Sequence, residues 1–207
     1  MKFNKVAAIC KSRKRITIHT DPESGAQWLG DGMAMYLLEG MPRLTPEECL
    51  RLFDIPESKH TDFYCTAEDL PTGIEFSDAI GAENEGVKDK SITIGWLGEV
   101  FRLFMYEKEL YAINEMYLTP FAGDTAYILY HRRKMAGGGF LLGVNIGLGL
   151  QAVIAPYMVH RQEPYMAEMV EITEAMLYMQ RNFPRPPDSQ SPQMSNDENQ
   201  LTLETEY

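Results

Sequence analysis

Little in this chain points to chemistry. Its 207 residues hold three cysteines, two tryptophans and four histidines, and each shortage excludes something. Cys10, Cys49 and Cys65 are odd in number and widely spaced, which suits reduced thiols in a cytoplasm better than a disulfide framework. His19, His60, His131 and His160 stand in no HxxxH, CxxC or HExxH arrangement that would put two ligands on one helix face or loop, so no metal and no other cofactor is expected. The serines lack a GxSxG context, and nothing identifies a base for a serine or cysteine nucleophile. Asp31, set between two glycines after Trp28, is the one carboxylate in a suggestive place. A catalytic role there competes with the commoner habit of an Asp in such a turn, which is to bond its own turn amides. The expectation is a non-enzymatic protein, with an enzyme of unrecognised type centred on Asp31 and Trp28 as an alternative.

Long apolar runs are also missing. The best candidate, residues 140–159, is broken by Asn145, Gln151, Pro156 and several glycines, so no membrane span is expected. The opening MKFNKVAAICKSRKR has too short an apolar run, and the wrong charges after it, for a secretory signal, and the chain reads as cytoplasmic. Positive charge is scarce: 19 Lys and Arg against 30 Asp and Glu leave a net charge of -11, whose field repels phosphate backbones and anionic lipid from the molecule as a whole. The cations gather in two clusters, Lys11, Arg13, Lys14 and Arg15, then His131, Arg132, Arg133 and Lys134. These are the candidate nucleic-acid contacts, with Tyr127 and Tyr130 near enough to stack on bases. Solvated loop ends are the competing reading.

What is present is pattern. Residues 5–10 and 15–20 read as two antiparallel strands joined by a polar SRKR loop, and residues 27–38 as further strand interrupted at Gly30-Asp31-Gly32. Thr45-Pro46-Glu47-Glu48 supplies an N-cap, a proline at the first helical position and acidic residues in the first turn, predicting a short helix over 46–53. Residues 57–90, rich in Gly, Asp, Glu and Ser, read as an irregular connection. Strands are expected at 91–94 and 100–106, a helix at 107–118, and three strands at 125–132, 139–146 and 148–159. The glycine-rich run GGGFLLGVNIGLGLQAVIAPYMV lacks the single tight turn opening into a helix that a phosphate loop requires; Gly147 and Gly149 fit a hairpin between strands. From Pro164 a longer amphipathic, methionine-rich helix is expected, then a disordered tail.

The fold class is therefore α+β: mostly antiparallel sheet with short helices, one longer C-terminal amphipathic helix and a disordered tail. Its parts are N-terminal strands and short helix (1–56), irregular connection (57–90), C-terminal sheet and helices (91–183), which pack with 1–56 as one domain or stand apart, and tail (184–207).

ELYAINEMYLTPFAGDTAYILYHRRKMAGGGFLLGVNIGLGLQAVIAPYMV resembles the closing half of a bacterial DNA sliding-clamp domain, where a helix, a polar turn and three antiparallel strands end in an apolar run with a proline and a methionine. RITIHTDPESGAQWLGDGMAMYLLEG followed by TPEECLRLFDI is similar to the strands and short helix midway through such a domain. The resemblance implies an accessory protein of DNA replication or DNA processing, phage or mobile-element encoded, that works as a homo-oligomer on DNA with replication or repair proteins as partners. Separately, Gln200, Leu201 and Leu203 in the tail resemble the start of the short motif by which polymerases and repair proteins dock on such clamps, although Glu204 stands where that motif prefers an aromatic or Leu. Clamps present basic helices to DNA, whereas residues 107–118 and 164–183 are acidic. A protein-protein interaction module acting through the Met-rich helix or the tail is the alternative.

Overall fold

The computed structural model describes residues 1–81, 87–96, 98–106, 109–123, 127–135, 139–158 and 164–182. They fall into two units, the first running to Val159. Helix and strand are mixed and the sheets are mostly antiparallel.

The chain begins with a helix, α1 (Phe3–Arg13), where residues 5–10 had suggested a strand. Phe3, Val6, Ala7 and Cys10 stand at i, i+3, i+4 and i+7, the spacing of one helix face, and Val6, Ala7 and Cys10 are buried with Ile9. Read from residue 5 onward, the apolar run hides that period. Lys14 ends the helix in a left-handed conformation, φ 50°, so SRKR is a helix end rather than a hairpin loop.

Three strands follow: β1 (Arg15–Thr20), β2 (Gln27–Gly30) and β3 (Ala34–Leu37). Then comes α2 (Pro46–Leu52), close to the expected bounds. Its capping box is complete: Thr45 Oγ1 accepts from the Glu48 amide at 3.2 Å and the Glu48 carboxylate accepts from the Thr45 amide at 2.7 Å. Such a cap stabilises a helix by about 1 kcal/mol. Residues 57–90 are less irregular than their composition suggested. They contain a 3-10 helix (Glu57–Asp62), β4 (Tyr64–Asp69) and the start of β5 (Lys88–Trp96). β4 is an edge strand with no fully buried residue, so it carries no apolar alternation to read.

β6 (Glu99–Tyr106) and β7 (Glu109–Asn114) pair antiparallel over six positions. Residues 107–118 are therefore not a helix. Four consecutive residues of β7, Tyr111 to Asn114, are buried, and a strand covered on both faces has no period of two to distinguish it from a helix. A 3-10 helix (Glu115–Phe121) follows. β8 (Ile128–Lys134), β9 (Phe140–Ile146) and β10 (Gly149–Ile154) form a meander whose β9–β10 turn holds Gly147 at φ 61°, the hairpin expected of that glycine run. Pro156 separates β10 from β11 (Tyr157–Met158), which joins another sheet.

Seven strands lie in the order β4-β1-β2-β3-β10-β9-β8 and four in the order β11-β7-β6-β5. Among the described strands, only β1–β4 is a parallel pair. β3 pairs with β10, so residues from both halves of the sequence share one sheet. The main core lies on its inner face, where Ile16, Ile18, Leu29, Tyr36, Leu142 and Val144 meet α1, α2, the 3-10 helix Glu115–Phe121 and Phe104. A smaller cluster on the outer face joins Trp28, Leu141, Leu150 and Val153 to Leu70, Ile74 and Phe76.

In the second unit, α3 (Pro164–Asn182) exposes Ile172, Met176, Tyr178 and Met179. No described helix is long and apolar enough to cross a membrane. Residues 183–207, with the expected tail and Gln200, Leu201 and Leu203, lie outside the described residues.

Candidate nucleic-acid interface

A helix over Phe3–Arg13 changes the charge map. Six of the chain's basic residues, Lys2, Lys5, Lys11, Arg13, Lys14 and Arg15, stand in its first fifteen positions, which hold no carboxylate. Because α1 buries Val6, Ala7, Ile9 and Cys10, the turns between them face outward: Asn4, Lys5, Ala8, Lys11 and Ser12 are exposed. That face is cationic at both ends and nearly flat at Ala8.

The cations differ in how they are held. Lys11 Nζ donates to the Phe53 carbonyl at the end of α2, 3.0 Å away, an interaction favoured by the negative end of the α2 dipole. Arg13 pairs with Glu99 at 2.9 Å, and Lys14 lies 3.6 Å from Asp62 with 62% of its side chain exposed. Arg15 sits over the Tyr64 ring, 4.9 Å from its centroid. Exposed pairs of this kind contribute little to stability, so solvent-facing cations such as Lys14 remain open to a phosphate.

The second predicted cluster is not a patch. Residues 131–134 lie inside β8, where successive side chains alternate between faces. His131 and Arg133 turn to the outer face, opposite Gly143 and Leu141. Arg133 is fully buried; its Nη2 donates to the Ser77 carbonyl at 2.6 Å, and Nη1 lies 3.8 Å from Glu75. It anchors the segment that crosses the outer face and is out of reach of any DNA. Arg132 lies over the Tyr106 ring at 4.8 Å and donates to its hydroxyl at 3.1 Å. Lys134 is exposed at the strand end. Tyr130 packs edge-on against Phe104 and Tyr127 is exposed.

No protein-family model, curated protein or solved structure matches this chain.

The remaining candidates resolve from their contacts. Asp31 Oδ1 accepts from the amides of Met33 and Ala34 at 3.0 and 3.1 Å, and Oδ2 accepts from the Tyr117 hydroxyl at 2.9 Å. Burial, then the adjoining Asp31 carboxylate, raises the Tyr117 phenol above its ordinary range, so it stays a donor. Tyr36 in turn donates to the Tyr117 carbonyl at 2.8 Å. The carboxylate is the centre of a buried tie between the β2–β3 turn and the 3-10 helix, a structural role. Trp28 is buried against Phe76, ring centroids 4.9 Å apart. Burial pushes the Cys49 thiol up to about 12 and raises Cys10 as well, which keeps both protonated and poor nucleophiles at neutral pH.

His131 has a measurable consequence. It is 1% exposed, and its Nε2 donates to Asn145 Oδ1 at 2.6 Å. Burial, reinforced by the Arg133 cation and opposed by the Asn145 bond, holds the imidazole below its ordinary 6.5. The unfolded chain therefore takes up this proton first as pH falls. The contribution to stability is complete above pH 6.5 and is lost through the window between 6.5 and the lower folded-state value. Thermal midpoints at pH 7.5 and 5.5 are expected to differ more in the native sequence than in His131→Gln; equal differences would remove His131 from the account.

Proposed function

We propose that the chain is a non-enzymatic accessory protein of DNA replication or processing that holds a DNA backbone against the outer face of α1. The observation that carries this reading is a carboxylate-free, lysine-bearing helix face on a molecule of net charge -11. Such a face attracts phosphate locally while the summed field discourages indiscriminate adhesion. The sliding-clamp resemblance supports it, because a net-negative clamp presents basic helices to DNA, and α1 has that charge where the acidic 107–118 and 164–183 do not. Assembly of several copies around or along DNA belongs to the same proposal. The nucleic-acid contacts are then Lys5, Lys11 and Lys14, with Arg13 and Arg15 at the helix end; Arg133 is not among them.

Anisotropy of a labelled duplex, measured across a salt series, tests this. Binding should weaken steeply with salt, because each neutralised phosphate releases counterions, and Lys5→Glu with Lys14→Glu should lower affinity about 30-fold or more. Lys88→Glu, an exposed charge in β5, should change it little. Equal losses from both, or no salt dependence, would overturn the reading.

A second reading rests on α3. Ile172, Met176 and Met179 are 53%, 40% and 54% exposed and stand four and three residues apart, one apolar stripe suited to a protein partner because Met adapts to varied surfaces. Unchanged association behaviour in Ile172→Glu with Met179→Glu would count against it.

A further inference from the structure

A cavity of about 940 Å3 opens between outer-face residues of β1, β3 and β10 and the side chains of Arg132, Tyr106 and Glu109. Its size suits a small organic ligand. β1 supplies three of its polar groups, Arg15, Thr17 and His19, which are two residues apart and so share a face. Ile16 and Ile18, the alternate residues, are buried in the main core. β1 therefore holds these donors on a strand whose other side is fixed.

Thr17 is the anomaly. Its side chain is 2% exposed and lines the cavity, and Oγ1 has no hydrogen-bond partner among the described residues. A buried hydroxyl left unbonded is costly, and such a group calls for an explanation. Two residues before it, Arg15 directs a guanidinium to the same cavity. It touches the Tyr64 ring and lies beside Gly32, where an added Cβ would stand 3.0 Å from Arg15 Cζ. No carboxylate among the described residues forms an ion pair with it.

His19, Glu68, Glu109 and Arg132 also face the cavity. His19 stands beside Glu68 in the β1–β4 register, and the Glu109 carboxylate accepts from the Tyr111 hydroxyl. Arg132 is stacked on Tyr106 and bonded to it. The unspent positive charge is thus at the Arg15 end, next to the unbonded hydroxyl. Met33, Met35 and Ile74 give this cavity an apolar wall, and thioethers pack favourably on aromatic rings.

We propose that this cavity binds an aromatic organic anion, its carboxylate or phosphate held by the Arg15 guanidinium and the Thr17 hydroxyl, its ring laid on Met33 and Met35. Charge-assisted bonds from a guanidinium are the strongest available for such a group. Arg15 is shared with the proposed DNA contact, but no residue of α1 lines the site, and its test does not depend on DNA binding.

The full-length chain is titrated with 8-anilinonaphthalene-1-sulfonate, an aromatic anion that fluoresces when bound, and with its uncharged counterpart N-phenyl-1-naphthylamine. Arg15→Gln, a change at an exposed residue, should weaken the anionic probe about tenfold and leave the uncharged one within about twofold. Thr17→Val should weaken the anionic probe alone, by less, with circular dichroism confirming that both variants fold. Displacement by adenosine monophosphate identifies a phosphate ligand, and displacement by indole-3-acetate a carboxylate. Equal binding of the anionic probe by all three proteins, parallel loss of both probes in Arg15→Gln, or displacement by neither anion at millimolar concentration overturns the proposal.

Discussion

Asp31→Ala is expected to destabilise the first unit by about 4 kcal/mol. The substitution removes the acceptor for three donors at once, the amides of Met33 and Ala34 and the hydroxyl of Tyr117, around a residue that is 4% exposed. Each buried donor left without a partner costs about 1–3 kcal/mol, and the lower end applies to the Met33 amide, at a turn that water can reach. For a unit of this size such a loss lowers the thermal midpoint by about 8–16 °C. Tyr117→Phe removes a single bond to the same carboxylate and should cost about 1.5 kcal/mol, and Asp31→Asn, which keeps an acceptor oxygen for the turn amides, should fall between the two. A loss under about 1 kcal/mol in Asp31→Ala would show that the tie between turn and 3-10 helix contributes little. A catalytic Asp31 would behave differently, because removing a strained catalytic carboxylate often leaves stability unchanged or raised.

The same residue shows what kind of information the sequence carried. A Gly-Asp-Gly turn announces its own chemistry, since an Asp side chain bonds the amides two and three residues on, and this is where Asp31 is found. The capping signals around Thr45 and the hairpin glycine at 147 were legible for the same reason: all their partners lie within a few residues. Tyr117 as the third partner was not legible, because it is 86 residues away and nothing near it in the chain refers to Asp31. α1 and β7 are ambiguous for another reason. β7 is buried on both faces and in α1 the exposed Ala8 closes the gap in the run 6–10, so apolar residues run together in both, and the choice between periods of 2 and 3.6 is then made by what packs on them. β7 has β6 and β11 to pair with; residues 5–10 have no free strand beside them and cover the inner face of a sheet. The basic clusters were visible as composition, but the division of residues 131–134 between two faces followed only from placing them within β8. The cavity was the least legible feature. It takes residues from β1, β3, β4, β8, β9 and β10, and no spacing in the chain brings Thr17 and Met35 together.

Gly30→Ala is expected to cost at least about 3 kcal/mol, more than any other glycine substitution in the sheet. A Cβ built on Gly30 would stand 1.7 Å from the Ala34 carbonyl oxygen and 3.1 Å from Met35 Cα. Both obstacles are backbone, so no side chain can swing aside to make room. At Gly143 the nearest atoms are instead the His131 ring, 2.2 Å away, which a shift of the imidazole could partly relieve, and at Gly149 the nearest atom is Gln151 Nε2 at 3.5 Å, where alanine should be tolerated. The β2–β3 turn must therefore open to admit the methyl group. Opening it stretches the Asp31 amide bond to the Ala34 carbonyl, 3.3 Å in the native turn, and draws the Ala34 amide off the Asp31 carboxylate. Chemical denaturation should show a lower midpoint at unchanged slope for Gly30→Ala, with Gly149→Ala close to the native value. Because both act on one turn, Gly30→Ala and Asp31→Ala should combine to less than the sum of their separate effects. Full additivity would mean that the clash at Gly30 is relieved elsewhere and that the carboxylate holds its turn independently of it.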